Sequence, residues 1–285
     1  MKSNKYNINH GESSDSLPIE ITPEIAQLFL DTQITGQRPI KLKNLKRLMR
    51  SAGKGMWNAG NGETIKFNQD LELIDGQHRC FMVAKTETSI FVLVVVFCNP
   101  KAFLIIDAGA PKVAADKLRV MGHKSAFTTA AALSLLWRYL YHCLGGNDDT
   151  PSHEEVWDLL SQHPGIEESV KVARECSHIM PHPKAAFLHY VCSLTNKDIA
   201  NEFIETIATG RGSSQSRPNA FFILRETEIK FKGKKNQPVR FERYRLAIAI
   251  KAVNAYYQGQ DIKLLKWANT EMFPVLLSRR DLTQQ

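Results

Sequence analysis

The sequence has few cysteines, and they are not arranged as metal ligands or disulfide partners usually are. There are five, an odd number, and no two are separated by two residues. The longest strongly apolar run, residues 90–97, has eight residues and is too short to span a membrane. The first fifteen residues are polar and lack the apolar stretch of a secretory signal. We therefore expect a cytoplasmic protein without membrane contacts.

Basic residues are concentrated in two segments of the chain, and one of these segments contains no acidic residue. Residues 36–62 include seven basic residues and no acid, and residues 211–245 include ten basic residues against three acids. Each segment carries a charge of +7, whereas the whole chain of 285 residues carries +8. Such asymmetry suits a surface that follows phosphates, although two separate solvated faces would give the same pattern. The residues we expect to contact DNA are Lys43, Lys46, Arg47, Arg50, Lys232, Lys234, Lys235 and Arg240.

The composition is that of a globular protein, with 43% hydrophobic and 23% charged residues. The pattern predicts an α+β protein: a tail over residues 1–16, a small α/β module over 17–122 and a helical domain over 123–285. In the module we expect strands at 18–22, 64–67, 71–74 and 91–97, the last one central and buried, and helices at 22–30, 42–49 and 77–85. In the helical domain we expect helices at 126–143, 154–160, 166–179, 185–194, 197–208, 240–257 and 262–268, with a loop at 210–219.

A group of polar residues stands between the strand that ends at residue 74 and the helix that follows. They are Asp75, Gly76, Gln77, His78 and Arg79. Amides in the first turn of a helix have no partner within it, and the helix dipole favours an anion there. The glycine would let the backbone approach a ligand, and the arginine offers a planar cation for phosphate oxygens. This junction predicts a phosphate-binding turn.

The same residues also have simpler interpretations. Asp75 can cap the helix, or it can hold a metal ion that bridges phosphates. His78 can move a proton near neutral pH, or it can be an ordinary structural histidine. An Asp-Gly pair alone indicates only a turn. We take the combination, rather than any single residue, as the signal.

The residues from 19 to about 121 resemble the ParB/sulfiredoxin superfamily, specifically phage and bacterial ParB-like proteins with a DGQHR signature. The matching pieces are residues 21–24, 36–39, 55–57, 64–67, 73–79 and 106–109. The resemblance implies a ParB/sulfiredoxin-like fold that binds a nucleotide, ATP or CTP with Mg²⁺, with its phosphates at residues 76–79. It also implies that Arg38 lies near the triphosphate. We expect Asp75, His78 and Asp107 to be the catalytic residues, because a histidine and acidic neighbours at a phosphate turn can handle a proton and a metal ion.

The chain departs from the superfamily pattern at three places. Gln77 stands where sulfiredoxins have their reactive cysteine, which argues against reduction of sulfinic acids. Partitioning clamps have Glu-Arg-Arg where this chain has Gln77, His78 and Arg79, and we find no helix-turn-helix signature. Near Asp107, relatives have an arginine where Lys112 stands here. The resemblance therefore indicates the fold and a nucleotide more than one reaction.

Several functions stay open at this point. The first is an enzyme that hydrolyses a nucleoside triphosphate or transfers its phosphate, linked to DNA. The second is a non-catalytic DNA-binding regulator or adaptor switched by nucleotide, and the third is a ParB-like nuclease. A small-molecule kinase and a homodimer also remain open.

Other candidate residues carry weaker signals. Glu63 and Asp116 are candidate catalytic carboxylates, although surface charge accounts for each as well. His178 and His182 have the spacing of helical metal ligands, but Pro181 and Pro183 would break the helix that aligns them. Cys80 follows the turn directly, and we expect it in the core.

Overall fold

A computed structural model describes residues 18–37, 39–57, 62–98, 113–145, 149–211, 218–232 and 239–276. The predicted tail, Arg38, Asp107, Lys112, Lys234 and Lys235 lie outside this description, as does the side chain of Arg240. The chain divides into two compact units, residues 1–110 and 111–285. Each unit is described by itself below.

The first unit contains four strands and three helices in its described part. In chain order they are β1 (Ile19–Ile21), α1 (Pro23–Asp31), α2 (Leu42–Gly53), β2 (Thr64–Asn68), β3 (Leu73–Asp75), α3 (Gln77–Thr86) and β4 (Ile90–Cys98). The α1 helix begins as predicted, because the Thr22 hydroxyl accepts a hydrogen bond from the Ile25 amide and Pro23 occupies the first turn.

The strands form one sheet in the order β1-β4-β2-β3. The predicted hairpin is confirmed, since β2 and β3 pair antiparallel with Lys66 opposite Asp75. β4 runs parallel to β2 and antiparallel to β1. α3 packs against both α1 and α2. Ile65, Leu73 and Val83 are fully buried in the core of this unit. The end of β3 and the start of α3 are thus held from several sides.

The prediction for β4 is right about its position and partly wrong about its burial. The strand lies between two others, but Phe91, Val95 and Phe97 are exposed. Val95, Val96 and Phe97 are exposed in succession, so the continuous apolar run does not mark a strand that is covered along its whole length. Along β4, Val94 is the last residue that packs against the described core of this unit.

The regular secondary structure of the second unit, in its described residues, consists of helices. Its helices are α4 (Ala114–Val120), α5 (Ala126–Leu140), α6 (His153–Gln162), α7 (Ile166–Val172), α8 (His182–Ser193), α9 (Lys197–Thr209), α10 (Ala220–Phe231) and α11 (Val239–Tyr257), with a 3₁₀ turn at Ala173–Cys176. Ala115 and Leu118 of α4 pack into the core of this unit, so the unit begins before residue 122, the boundary expected from the sequence. None of the described helices is long and apolar enough to cross a membrane.

Three predictions for this unit need correction. The helix expected at 166–179 is helical only to Val172 and then tightens into the 3₁₀ turn. α10 follows the predicted loop directly, and the sequence pattern did not indicate it. Residues 262–268 do not form a helix: Leu265 and Trp267 are buried on either side of Lys266, whose carbonyl accepts a hydrogen bond from the Lys251 ammonium. Exposed and buried side chains alternate over residues 264–268, a period of two that a helix does not give.

A buried carboxylate joins three helices of this unit. Glu228 of α10 is fully buried and accepts hydrogen bonds from Lys184 of α8, at 3.0 Å, and from Arg245 of α11. Burial lowers the pKa of Lys184, and the nearby carboxylate of Glu228 opposes that shift. Glu242 also pairs with Arg245, but its carboxylate is mostly exposed. Glu228 is therefore the acid whose charge two buried cations need.

Replacing Glu228 with glutamine should destabilise the helical unit by about 3–5 kcal/mol, because it leaves the buried Lys184 without a compensating charge and Arg245 with only the exposed carboxylate of Glu242. Urea unfolding of the full chain, followed by circular dichroism, measures this loss. Glu242→Gln is the matched control, and it should cost at most about 1 kcal/mol because that ion pair is solvated. Equal losses in the two variants would contradict the special role of Glu228.

Candidate functional site

The predicted phosphate-binding turn lies where β3 ends and α3 begins. Gly76 has a left-handed backbone, with φ +103°, and stands at the N-cap position. The Arg79 and Cys80 amides both donate to its carbonyl oxygen, at 2.9 and 3.1 Å. No side chain caps the helix, so Asp75 does not have the capping role considered from the sequence. The strand-to-helix junction itself is as predicted.

Gly76 is required for a reason other than ligand approach. A Cβ atom at this position would lie 2.9 Å from Cγ1 of Ile65 and 3.2 Å from its Cα atom. Ile65 is fully buried in the middle of β2. The turn therefore packs tightly on the sheet, and its positive φ adds a second reason for glycine.

Two acidic and two basic side chains alternate around the turn. The Lys66 ammonium lies 2.9 Å from the Asp75 carboxylate, and one Arg79 nitrogen lies 3.9 Å from the other oxygen of that group. Arg79 also pairs with Glu63, whose side chain is 47% exposed. Asp75 and Arg79 are both mostly buried. Arg79 is thus held in place by protein carboxylates on two sides.

Sequence reasoning missed the part that Lys66 plays here. The signal was present, because Lys66 and Asp75 occupy opposite positions in the β2–β3 hairpin. Opposed residues of neighbouring strands have side chains on the same face. Glu63 was considered only as a candidate catalytic carboxylate, and its contact with Arg79 could not be read from local spacing.

His78 connects the turn to the start of α2. Its Nε2 atom accepts a hydrogen bond from the amide of Lys41, the residue that precedes α2, at 3.1 Å. An accepting Nε2 carries no proton, so this contact requires the ring in its neutral form with the proton on Nδ1. The N-termini of α2 and α3 consequently lie side by side.

The loop between α1 and α2 is attached to the same end of β3. The Leu73 amide donates to the Thr32 carbonyl at 2.9 Å. The Gln37 amide nitrogen donates to the carbonyls of Leu73 and Ile74, at 3.4 and 3.5 Å. Gln37 is the neighbour of Arg38, the residue expected near the triphosphate.

Cys80 is part of the core, as expected. It is fully buried, and burial raises the pKa of its thiol to about 12. A thiol with such a pKa stays protonated and is not a nucleophile at neutral pH. Gln77, which replaces the reactive cysteine of sulfiredoxins, is also buried.

The remaining candidates give no metal centre in the part of the chain that the structure describes. No group of three or more His, Cys, Asp or Glu side chains is placed to hold a metal ion there. Asp116 accepts a hydrogen bond from the Val113 amide at the start of α4. His182 begins α8 and contacts the Val170 carbonyl at 2.7 Å, so its helix does not include His178. Asp75 is the one predicted metal ligand, and two cations already surround it.

The predicted DNA-binding residues fall into two groups. On α2, which contacts α3, Lys43 and Lys46 are exposed and Arg47 and Arg50 are half-buried. In the second basic segment, Lys232 is exposed. The net charge of that segment overstates the number of cations that a ligand could reach, because three of its arginines have partners within the unit. They are Arg225 with Glu226, Arg243 over the Trp267 ring, and Arg245 with Glu228.

Comparisons with protein-family models, with curated proteins and with solved structures found no match to this chain. What the site can bind therefore follows from its own geometry.

Gly76→Ala should destabilise the first unit by about 2–4 kcal/mol, because it adds a clash with Ile65 to the cost of a left-handed alanine. Gly55 also has a positive φ, of +66°, but a Cβ atom there would meet nothing within 4 Å. Gly55→Ala should therefore cost only about 1–2 kcal/mol. Urea unfolding of both variants separates the two contributions, and similar losses would mean that the Ile65 contact adds nothing.

Proposed function

We propose that this chain binds a nucleoside triphosphate, ATP or CTP, with its phosphates at the β3–α3 turn. The observation that carries the proposal is the meeting of two helix N-termini at the hydrogen bond between His78 and Lys41. Both dipoles favour negative charge at that point. Lys66 and Arg79 add two cations beside it. This arrangement suits a ligand that carries several negative charges.

The fit depends on an exchange of partners at Arg79. In the structure, the guanidinium pairs with Glu63, which is half exposed. A phosphate oxygen is a stronger partner for arginine, because it offers bidentate contacts and more negative charge. We infer that the phosphate displaces Glu63, while Asp75 continues to hold Arg79 from the buried side. Arg38, outside the described residues, would add a further cation.

The protein donors around the turn do not fit a metal ion held by the chain alone. Asp75 is placed between Lys66 and Arg79, and binding a metal there would require one of these pairs to break. Mg²⁺ would instead arrive on the phosphate oxygens of the nucleotide.

The proposed reaction is hydrolysis of the triphosphate or transfer of its terminal phosphate, linked to DNA. His78 is the group suited to proton handling, because a neutral imidazole with a protonated Nδ1 can accept a proton at Nε2 once Lys41 releases it. Asp75, paired with two cations, would position Arg79 and Lys66. Asp107 stays in this proposal as a second carboxylate. We place the reaction in the cytoplasm, in keeping with five cysteines that form no disulfide.

A thermal-shift panel of ATP, ADP, CTP and GTP, with and without magnesium, tests the binding site. Preferential binding to the native state raises the melting temperature by mass action. Arg79→Gln should lower the rise seen with the preferred nucleotide. Glu63→Gln should strengthen binding about two- to fivefold, because a solvated ion pair no longer competes for Arg79.

Lys85→Gln is the matched control for Arg79→Gln. Lys85 is an exposed cation at the opposite end of the same helix, so its loss should leave the thermal shift unchanged. The proposal fails if no nucleotide shifts the melting temperature, or if the two variants respond alike. A weaker binding by Glu63→Gln would mean that Glu63 helps the ligand instead of competing with it.

A second function is favoured by the exposed basic face of α2, namely a non-catalytic DNA-binding regulator switched by nucleotide. Lys43 and Lys46 project from a helix that contains no acidic residue and that packs on α3. Nucleotide bound at the turn would then change how α2 meets DNA. A nuclease is less well supported, since the described residues present no carboxylate cluster of the kind that holds two metal ions.

The double variant Lys43→Gln, Lys46→Gln tests contact between α2 and DNA. Counterion release makes affinity fall with salt, and removing two phosphate contacts should reduce the slope of log affinity against log salt by about two. Fluorescence anisotropy with a labelled duplex measures the slope. Lys85→Gln combined with Lys263→Gln removes the same charge elsewhere and should have little effect. A salt-independent affinity, or equal effects of both pairs, would argue against this surface.

A further inference from the structure

The helical unit contains a cleft that the proposed function does not use. Its volume is about 500 Å³. It is formed by the end of α4, the segment before α5, the start of α5, α7 with the 3₁₀ turn, and the start of α8. All of these elements belong to residues 111–285. The volume falls within the range of small-molecule sites, about 300–1,000 Å³.

The cleft is strongly basic. Four cations contribute to its lining: Arg119, Lys124, Lys171 and Arg174. No carboxylate is among the described side chains that line it. Lys171 has one acidic neighbour, Glu168 at 3.4 Å, but both side chains are mostly exposed, and such a pair contributes little. Four like charges around one cavity repel each other, so a bound anion would relieve that repulsion.

An aromatic ring lies among these basic side chains. Phe127 is 56% exposed although it is a large apolar side chain at the start of a 15-residue helix. The guanidinium of Arg119 lies over its ring, 4.9 Å from the centroid. An exposed ring with an arginine on its face is the arrangement on which nucleic-acid bases stack. The cleft thus has a planar platform as well as cations.

The N-terminus of α5 also favours a negative charge in the cleft. Ser125 precedes α5, and the lining includes the first residues of that helix up to Thr128. The positive end of the α5 dipole adds to the four cations. His182 also lines the cleft and is held by its contact with the Val170 carbonyl. These features reinforce the preference for an anion without being needed to establish it.

We propose that this cleft is a second binding site, specific for a phosphorylated ligand with a planar aromatic base. The phosphates would lie among Lys124, Lys171 and Arg174, and the base would take the place of the Arg119 guanidinium on the Phe127 ring. Free nucleotide and the 5′-phosphorylated end of a single strand share this chemistry. The site is independent of the β3–α3 turn, since none of its residues belongs to the first unit.

Isothermal titration calorimetry of the full chain with ADP at low salt tests the proposal. The double variant Lys171→Gln, Arg174→Gln should weaken ADP binding at this site by about tenfold or more, because charge-assisted contacts to phosphate are lost. Phe127→Ala should weaken ADP binding about fivefold or more through lost stacking, yet leave pyrophosphate binding unchanged. Adenosine, which has no phosphate, should not bind measurably.

Two controls separate binding in this cleft from binding elsewhere on the protein. Lys197→Gln with Lys263→Gln removes the same charge from exposed positions outside the cleft and should leave binding unchanged. Arg79→Gln should also leave this binding event unchanged, because it alters only the turn. The three cleft side chains that are substituted are exposed, so the variants should keep the melting temperature of the unliganded chain.

Three results would overturn the proposal. They are ADP binding that survives the Lys171→Gln, Arg174→Gln change in an Arg79→Gln background, equal weakening by the control pair, and loss of all ADP binding in Arg79→Gln alone. Competition by a 5′-phosphorylated tetrathymidylate would support the cleft and identify a strand end as its ligand. Binding of ADP without such competition would support it and identify a free nucleotide.

Discussion

The contact between Gly76 and Ile65 fixes the geometry on which the candidate site depends. Because no Cβ atom fits between the turn and β2, the backbone passes closely over the sheet and enters α3 at a defined angle. That angle places His78 against the start of α2 and Arg79 between Asp75 and Glu63. A larger residue would displace the turn and with it every polar contact described there. The steric constraint therefore comes first, and the electrostatics of the site follow from it.

Basic residues have two different roles in this protein. Some stabilise the fold through buried pairs, as Lys184 and Arg245 do at Glu228. Others remain at the surface, where a polyanion can reach them, as Lys43 and Lys46 do on α2. Arg79 is intermediate, because it has one mostly buried partner and one that is half exposed. Counting charges along the chain does not separate these roles, since burial decides which cations a ligand can reach.

Sequence reasoning identified the features that depend on neighbouring residues. The cap at Thr22, the hairpin between β2 and β3 and the turn before α3 are signalled locally, and each is present. Contacts between distant residues could not be predicted. Glu63, which precedes β2, pairs with Arg79 of α3. Lys251 of α11 donates to the carbonyl of Lys266, between the buried Leu265 and Trp267. The strand-to-helix turn of residues 75–79 could thus be predicted, but the partners of its side chains could not.

Glu228 has a consequence for how this sequence can vary. Its carboxylate is shared by α8, α10 and α11, three helices that are separate in the chain. A substitution that removes one of the three charges gives a protein less stable than either the fully charged or the fully apolar combination. Positions 184, 228 and 245 should therefore change together among relatives of this protein or not at all. Relatives with apolar residues at all three positions should have an apolar core where this protein has the buried ion pairs.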